Sequence, residues 1–149
     1  MSTDNAIVMD REQIEQAIPH RSPMLLVDEV IEKSESEIKC RKTFRSDEFF
    51  LQGHYPGNPI VPGIILCEAA MQSGAILLSQ LAGTDSGTPV ATRLNDVRFK
   101  KIVRPENTIE IDVQLIEKLA NAFFMKAKVS VDGKLAARLE FACALADET

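Results

Sequence analysis

Positive charge is scarce in this chain. Seventeen Lys and Arg face twenty-two Asp and Glu, for a net charge of −5. A protein that grips nucleic acid through its phosphates needs the opposite balance. Cysteine is scarce too. Cys40, Cys67 and Cys143 are odd in number and none pair at Cys-x-x-Cys spacing, which argues against a disulfide framework and a zinc site. Free thiols suit a reducing compartment. The first nine residues lack the basic start and apolar run of a signal peptide. The longest apolar stretch, 64–82, is interrupted by Glu68, Gln72, Ser79 and Gln80 and makes a poor membrane span. No segment repeats. These absences leave the expectation of a cytoplasmic globular protein with no nucleic-acid or membrane partner. Its 149 residues, 45% apolar and 26% charged, fit one domain with one core.

Residues 1–9 read as a loose, flexible tail and 10–149 as a single domain. Asp10 is placed to cap a short helix over 11–18, with Gln13 completing a capping box. The prolines of Pro19-His20-Arg21-Ser22-Pro23 disfavour helix there. The β-formers Leu25, Leu26, Val27, Val30 and Ile31 predict a strand over 24–33, and 38–44 a second. Of the chain's seven glycines and seven prolines, six fall within 53–63, which marks a stiff loop. A helix then runs from Gly63 to about residue 81 or 82, with Gly83 as its stop signal. Apolar residues cover every face of that helix, so it is expected to be buried all round. Segments 90–103, 108–119, 122–131 and 134–146 carry strand-like alternation, and Asp132-Gly133 signals a two-residue hairpin turn. The fold class is therefore α+β, with a curved antiparallel sheet wrapped around one long buried helix.

Few residues are fit for chemistry. His20 and His54 are the two histidines. His54 lies inside the stiff loop, where it is either a proton-transfer group or a ring satisfied by nearby backbone. Glu68 is the one charged residue on the apolar helix. A carboxyl group in such surroundings is either paired with a cation or protonated and able to act as an acid. Gln72, four residues on, shares its face and either orients the Glu68 carboxyl by a hydrogen bond or is a helix-packing residue. Gly63 and Ile64 open the helix, so their N–H groups lack intrahelical partners and point with the positive end of the dipole. They could steady the oxygen of a thioester carbonyl, and Gly63 without a side chain permits close approach. Alternatively, Gly63 merely shapes the turn after Pro62. Arg98, Lys100, Lys101 and Arg104 form a basic cluster, either a docking surface for an acidic partner or a solvated strand end. No ligand cluster for a metal or organic cofactor is apparent, and none is expected.

The run His54-Tyr55-Pro56-Gly57-Asn58-Pro59-Ile60-Val61-Pro62-Gly63, followed by Glu68 and Gln72, resembles the signature of (3R)-hydroxyacyl-[acyl-carrier-protein] dehydratases of the FabZ type. Pro19-His20-Arg21-Ser22-Pro23-Met24-Leu25-Leu26-Val27-Asp28 resembles their second hallmark. The likeness spans about 14–145. It implies a hotdog fold and homodimers with joined sheets, usually assembled as a trimer of dimers, whose sites pair the His54 match of one subunit with the Glu68 match of the other. It also implies an acyl thioester substrate carried on the phosphopantetheine of an acyl carrier protein, and a hydro-lyase activity in fatty-acid synthesis. In that scheme His54 and Glu68 are the catalytic pair. There are departures: Ser22 stands where an aromatic is frequent, Ile102 where proline is common, and Arg104-Pro105-Glu106-Asn107 where Val-Pro-Gly-Asp is frequent. They bear on acyl-chain preference and carrier docking. Three rivals differ in chemistry. A FabA-type isomerising dehydratase usually carries Asp at the Glu68 position. A hotdog thioesterase would use the carboxylate to activate water, against which the intact His54 loop argues. A non-catalytic acyl-carrier-binding domain would need neither group.

Overall fold

The computed structural model describes residues 6–81 and 88–146. Its order is α1 (Arg11–Ala17), β1 (Glu29–Lys33), β2 (Glu37–Thr43), a 3₁₀ turn (Phe49–Leu51), α2 (Gly63–Leu81), β3 (Thr88–Phe99), β4 (Thr108–Leu119), β5 (Ala122–Val131) and β6 (Lys134–Ala146). The six strands form one sheet in the order β1-β2-β4-β5-β6-β3, antiparallel throughout. Helix α2 lies against β2 through β6. This is the expected α+β hotdog arrangement.

Period two explains which face of the sheet the helix covers. Ile38 and Cys40 of β2, Ile109, Ile111 and Val113 of β4, and Phe123, Met125, Ala127 and Val129 of β5 all point inward and are buried. Leu66, Ala70, Ile76, Leu77 and Leu78 meet them from α2. Contact is close at Gly74, where an added Cβ would stand 2.9 Å from the Phe141 ring. Asp132 and Gly133 both take positive φ, 53° and 75°, as the tight β5–β6 hairpin needs. Asp10 and Gln13 form the reciprocal capping box on α1. All three cysteines are buried. Burial pushes the Cys40 thiol up to about 12 and the Cys143 thiol up to about 11, and also raises that of Cys67.

Four expectations need correction. Residues 24–28 are not strand. Two of their backbone groups bond to the helix, Leu26 N–H donating to Gln72 Oε1 at 2.7 Å and Met24 C=O accepting from Gln72 Nε2 at 2.8 Å, Met24 and Leu25 N–H close a turn on Arg21 C=O, and only Asp28 N–H reaches a strand, at Arg41 C=O. The tail is not loose at its end, since Val8 and Met9 donate to Val30 C=O; residues 1–5 lie outside the described residues, as does the stop signal at Gly83. Strand β3 ends at Phe99 instead of running to Val103, because Val103 C=O accepts from Val61 N–H of the loop before α2. Helix α2 is not buried all round within one chain. Ile64, in the helix's first turn, is 59% exposed.

Candidate active site

Two walls face the first turns of α2. The first is built on the helix itself. The Glu68 side chain is 30% exposed, not buried as its apolar neighbours in sequence suggest. Gln72 holds it: Nε2 donates to Glu68 Oε2 at 2.9 Å. Gln72 is itself fully buried, with its remaining capacity taken by Met24 C=O and Leu26 N–H. A side chain bonded on both its oxygen and its nitrogen has one orientation, so Glu68 Oε2 is held in place and Oε1 is left for other partners. His20 Nε2 stands 3.9 Å from Glu68 Oε2, and His20 Nδ1 is buried without a partner among the described residues.

The second wall is the loop from Gln52 to Pro62. Its root is the buried Lys42–Glu48 ion pair, 2.8 Å, with Glu48 Oε2 also accepting from Arg45 N–H. Gly53, Tyr55 and Gly57 take positive φ, 82°, 59° and 89°, so this loop turns through left-handed backbone three times in five residues. His54 N–H donates to Leu51 C=O and Asn58 N–H to Tyr55 C=O. The His54 ring places Nδ1 2.9 Å from Ile60 C=O. A carbonyl only accepts, so Nδ1 carries the hydrogen and Nε2 is left with a free lone pair. In the single chain no ion pair or hydrogen bond joins His54 to Glu68.

Gly63 and Ile64 are placed as expected at the helix start, and neither N–H has an acceptor among the described residues. The space beside Gly63 is not open, however. The Phe99 ring fills it, with atoms 2.8–3.0 Å from where a Cβ would stand, and Phe99 is itself 53% exposed. Of the basic cluster, Lys100 and Lys101 are exposed at the end of β3 and Arg98 lies 3.5 Å from Asp96. Arg104 turns away from them: Nη1 donates to Asn58 Oδ1 at 2.7 Å and reaches Pro59 C=O at 3.4 Å. The four do not form one free surface.

His20 is the residue the sequence reading left out of the site. Its available signals were its place in the second hallmark segment and the presence of only one other histidine. Phe99 left none, since an aromatic at a strand end is ordinary.

Residues 18–140 match the FabA-like domain. The chain is 40% identical over 129 residues to the 3-hydroxyacyl-[acyl-carrier-protein] dehydratase FabZ of Clostridium perfringens, covering 87% of this chain and 93% of that one. It is 39% identical over 133 residues to the FabZ of Petrotoga mobilis, covering 89% and 94%. Among solved structures, the dehydratase heterocomplex ApeI:P of Xenorhabdus doucetiae superposes with a TM-score of 0.79 at 17% identity over 91% of each chain, which is likeness of fold. Identity of this extent, carried across nearly the whole length of the relatives, makes the chain a member of the FabA-like family, a hotdog-fold dehydratase of the FabZ type.

Proposed function

We propose that this chain removes water from (3R)-3-hydroxyacyl-[acyl-carrier-protein] to give the trans-2-enoyl thioester in fatty-acid synthesis. The substrate class follows from the relatives' activity; the assignment of groups is carried by one observation, the His54 ring fixed with Nδ1 on Ile60 C=O and Nε2 free. His54 Nε2 takes a proton from C2 of the acyl chain. Glu68, protonated on the Oε1 that Gln72 leaves free, gives its proton to the C3 hydroxyl, which departs as water. Charge gathering on the thioester oxygen is met by the unpaired Gly63 and Ile64 N–H groups. Both proton transfers fall to side chains, so the reaction calls for no metal or organic cofactor.

His54 and Glu68 then meet across a dimer, one from each subunit. In support, β3 is an edge strand bonded only to β6, and Val90, Leu94, Phe99, Ile64 and Tyr55 expose apolar surface nearby. A trimer of dimers is the larger assembly proposed. Lys100 and Lys101, with Arg98, meet an acidic acyl carrier protein that presents the substrate on phosphopantetheine. The free thiols fit operation in the cytoplasm; no helix is long and apolar enough to cross a membrane among the described residues.

The test is a comparison on one 3-hydroxyacyl thioester of water loss with thioester hydrolysis. Enoyl product is expected. Free acid as the main product would make the chain a thioesterase, and no turnover with retained carrier binding would make it a binding domain. Mixing inactive His54→Ala and Glu68→Ala subunits is expected to restore part of the activity, because one site of each mixed dimer regains both groups. Full subunit exchange with no recovery would place the pair within one chain.

A further inference from the structure

We infer that Arg104 is a positioning residue for His54. This inference rests on the proposed role of His54 as the base. Between the root of the loop and α2, the loop is tied by hydrogen bonds to the rest of the fold at two places among the described residues. Val61 N–H donates to Val103 C=O at 2.7 Å, and the Arg104 guanidinium donates to Asn58 Oδ1 at 2.7 Å and reaches Pro59 C=O at 3.4 Å. Both ties come from adjacent residues of one short segment. That segment is firmly seated. Arg104 N–H donates to Asn107 Oδ1, Asn107 N–H returns to Arg104 C=O, and Glu106 N–H and Asn107 C=O exchange hydrogen bonds with the backbone of fully buried Phe44. Arg104 therefore reaches the loop from an anchored base.

What it holds is the stretch immediately before the Ile60 carbonyl. That carbonyl fixes the His54 ring and decides which nitrogen carries the hydrogen. Tyr55 and Gly57 are in left-handed backbone and 55–58 are exposed, so little packing holds the loop up to Asn58, and Pro59 after it is only partly buried. A single guanidinium nitrogen, Nη1, spans the Asn58 side-chain oxygen and the Pro59 backbone oxygen, and the rigid planar head that carries it supplies a constraint that lysine's flexible ammonium does not match. The role differs from carrier docking, because Nη1 is engaged inside the chain.

The experiment is Arg104→Val, measured with both a carrier-borne substrate and a short pantetheine thioester. Loss of one net hydrogen bond's constraint is about 1 kcal/mol, or roughly fivefold in rate. We expect kcat to fall by about that factor equally on both substrates, with KM little changed, and Arg104→Lys to recover only part. In parallel, ¹⁵N-histidine spectra of the wild-type and variant chains, with His20→Asn used to assign the two rings, report the His54 tautomer without any turnover. Arg104→Val is expected to raise the share of His54 carrying hydrogen on Nε2. A defect confined to the carrier-borne substrate would overturn the inference in favour of docking. An unmoved His54 tautomer with unchanged kcat would overturn it outright. Full activity of His54→Ala would instead remove the base assignment, and the tautomer readout would still decide whether Arg104 positions the ring.

Discussion

The two walls of the site are fastened in opposite ways. Glu68 is held by Gln72, itself buried, whose own partners lie 46 and 48 residues away in sequence, one of them the buried Leu26. His54 is held by a carbonyl six residues away on an exposed loop. The acid's position is thus a property of the packed interior, shared with whatever stabilises the fold. The base's position is a local property of backbone conformation and one surface arginine. Changes that displace Glu68 should cost stability as well as activity, whereas changes that displace His54 should cost activity alone.

The largest effect expected is on the groups themselves. His54→Ala and Glu68→Ala should each lower kcat by roughly 10²–10⁴-fold with the circular dichroism spectrum unchanged. Near-normal turnover from either folded variant removes that residue from its role. Gln72→Leu sharpens the contrast between the walls. It leaves buried Leu26 N–H without an acceptor at a cost of about 1–3 kcal/mol, or a Tm lower by about 2–12 °C. Activity should fall with it, because Glu68 loses its orienting donor. Asn58→Ala, on the other wall, should change Tm by less than about 2 °C while lowering kcat. Thermal scans with parallel assays would break the comparison if the two variants behaved alike.

Smaller and more specific is Lys100→Glu with Lys101→Glu. Steering acts over a Debye length of about 8 Å at physiological salt, so use of a carrier-borne substrate should weaken while a short pantetheine mimic is unaffected. The gap should close as salt is raised, and equal loss on both would indicate structural damage. The smallest effect concerns Glu106, which sits at a φ of 78°. Left-handed backbone costs a non-glycine residue about 1 kcal/mol, and glycine's greater freedom when unfolded returns part of that. Glu106→Gly should therefore raise stability slightly. A clear fall in Tm would mean that the Ser46–Glu106 hydrogen bond, 3.2 Å, outweighs the strain.

Most of the fold was legible because period and punctuation agree. The bounds of β4, β5 and β6 follow from alternation around Asp132-Gly133, and α2 from its apolar run after Pro62. Legibility failed where backbone bonds leave the secondary-structure pattern. Residues 24–28 look like strand in composition, yet Gln72 takes Met24 C=O and Leu26 N–H, and Met24 and Leu25 N–H turn back to Arg21 C=O. The exposure of Ile64 and Glu68 was hidden for a related reason, since an apolar sequence does not say whether its own chain supplies the cover. For the site, the loop and the helix start were plain in the glycine and proline spacing. The reach of Arg104 back to Asn58 was not, because forty-six residues separate them and their contact depends on how two loops fold together.

The deep placement of the three sulfurs has a practical side. Burial pushes the Cys40 thiol up, so little of it is the reactive thiolate at ordinary pH, and the surrounding side chains keep reagents out of reach. A maleimide dye should therefore ignore the native chain. One introduced surface sulfur, such as Lys128→Cys on the outer face of β5, would be the sole labelling point, and a probe or cross-linker could be attached there without first removing the native cysteines. Under denaturant the same silence becomes a stopwatch, since incorporation at Cys40, Cys67 and Cys143 can proceed only as fast as the sheet lets go of its helix.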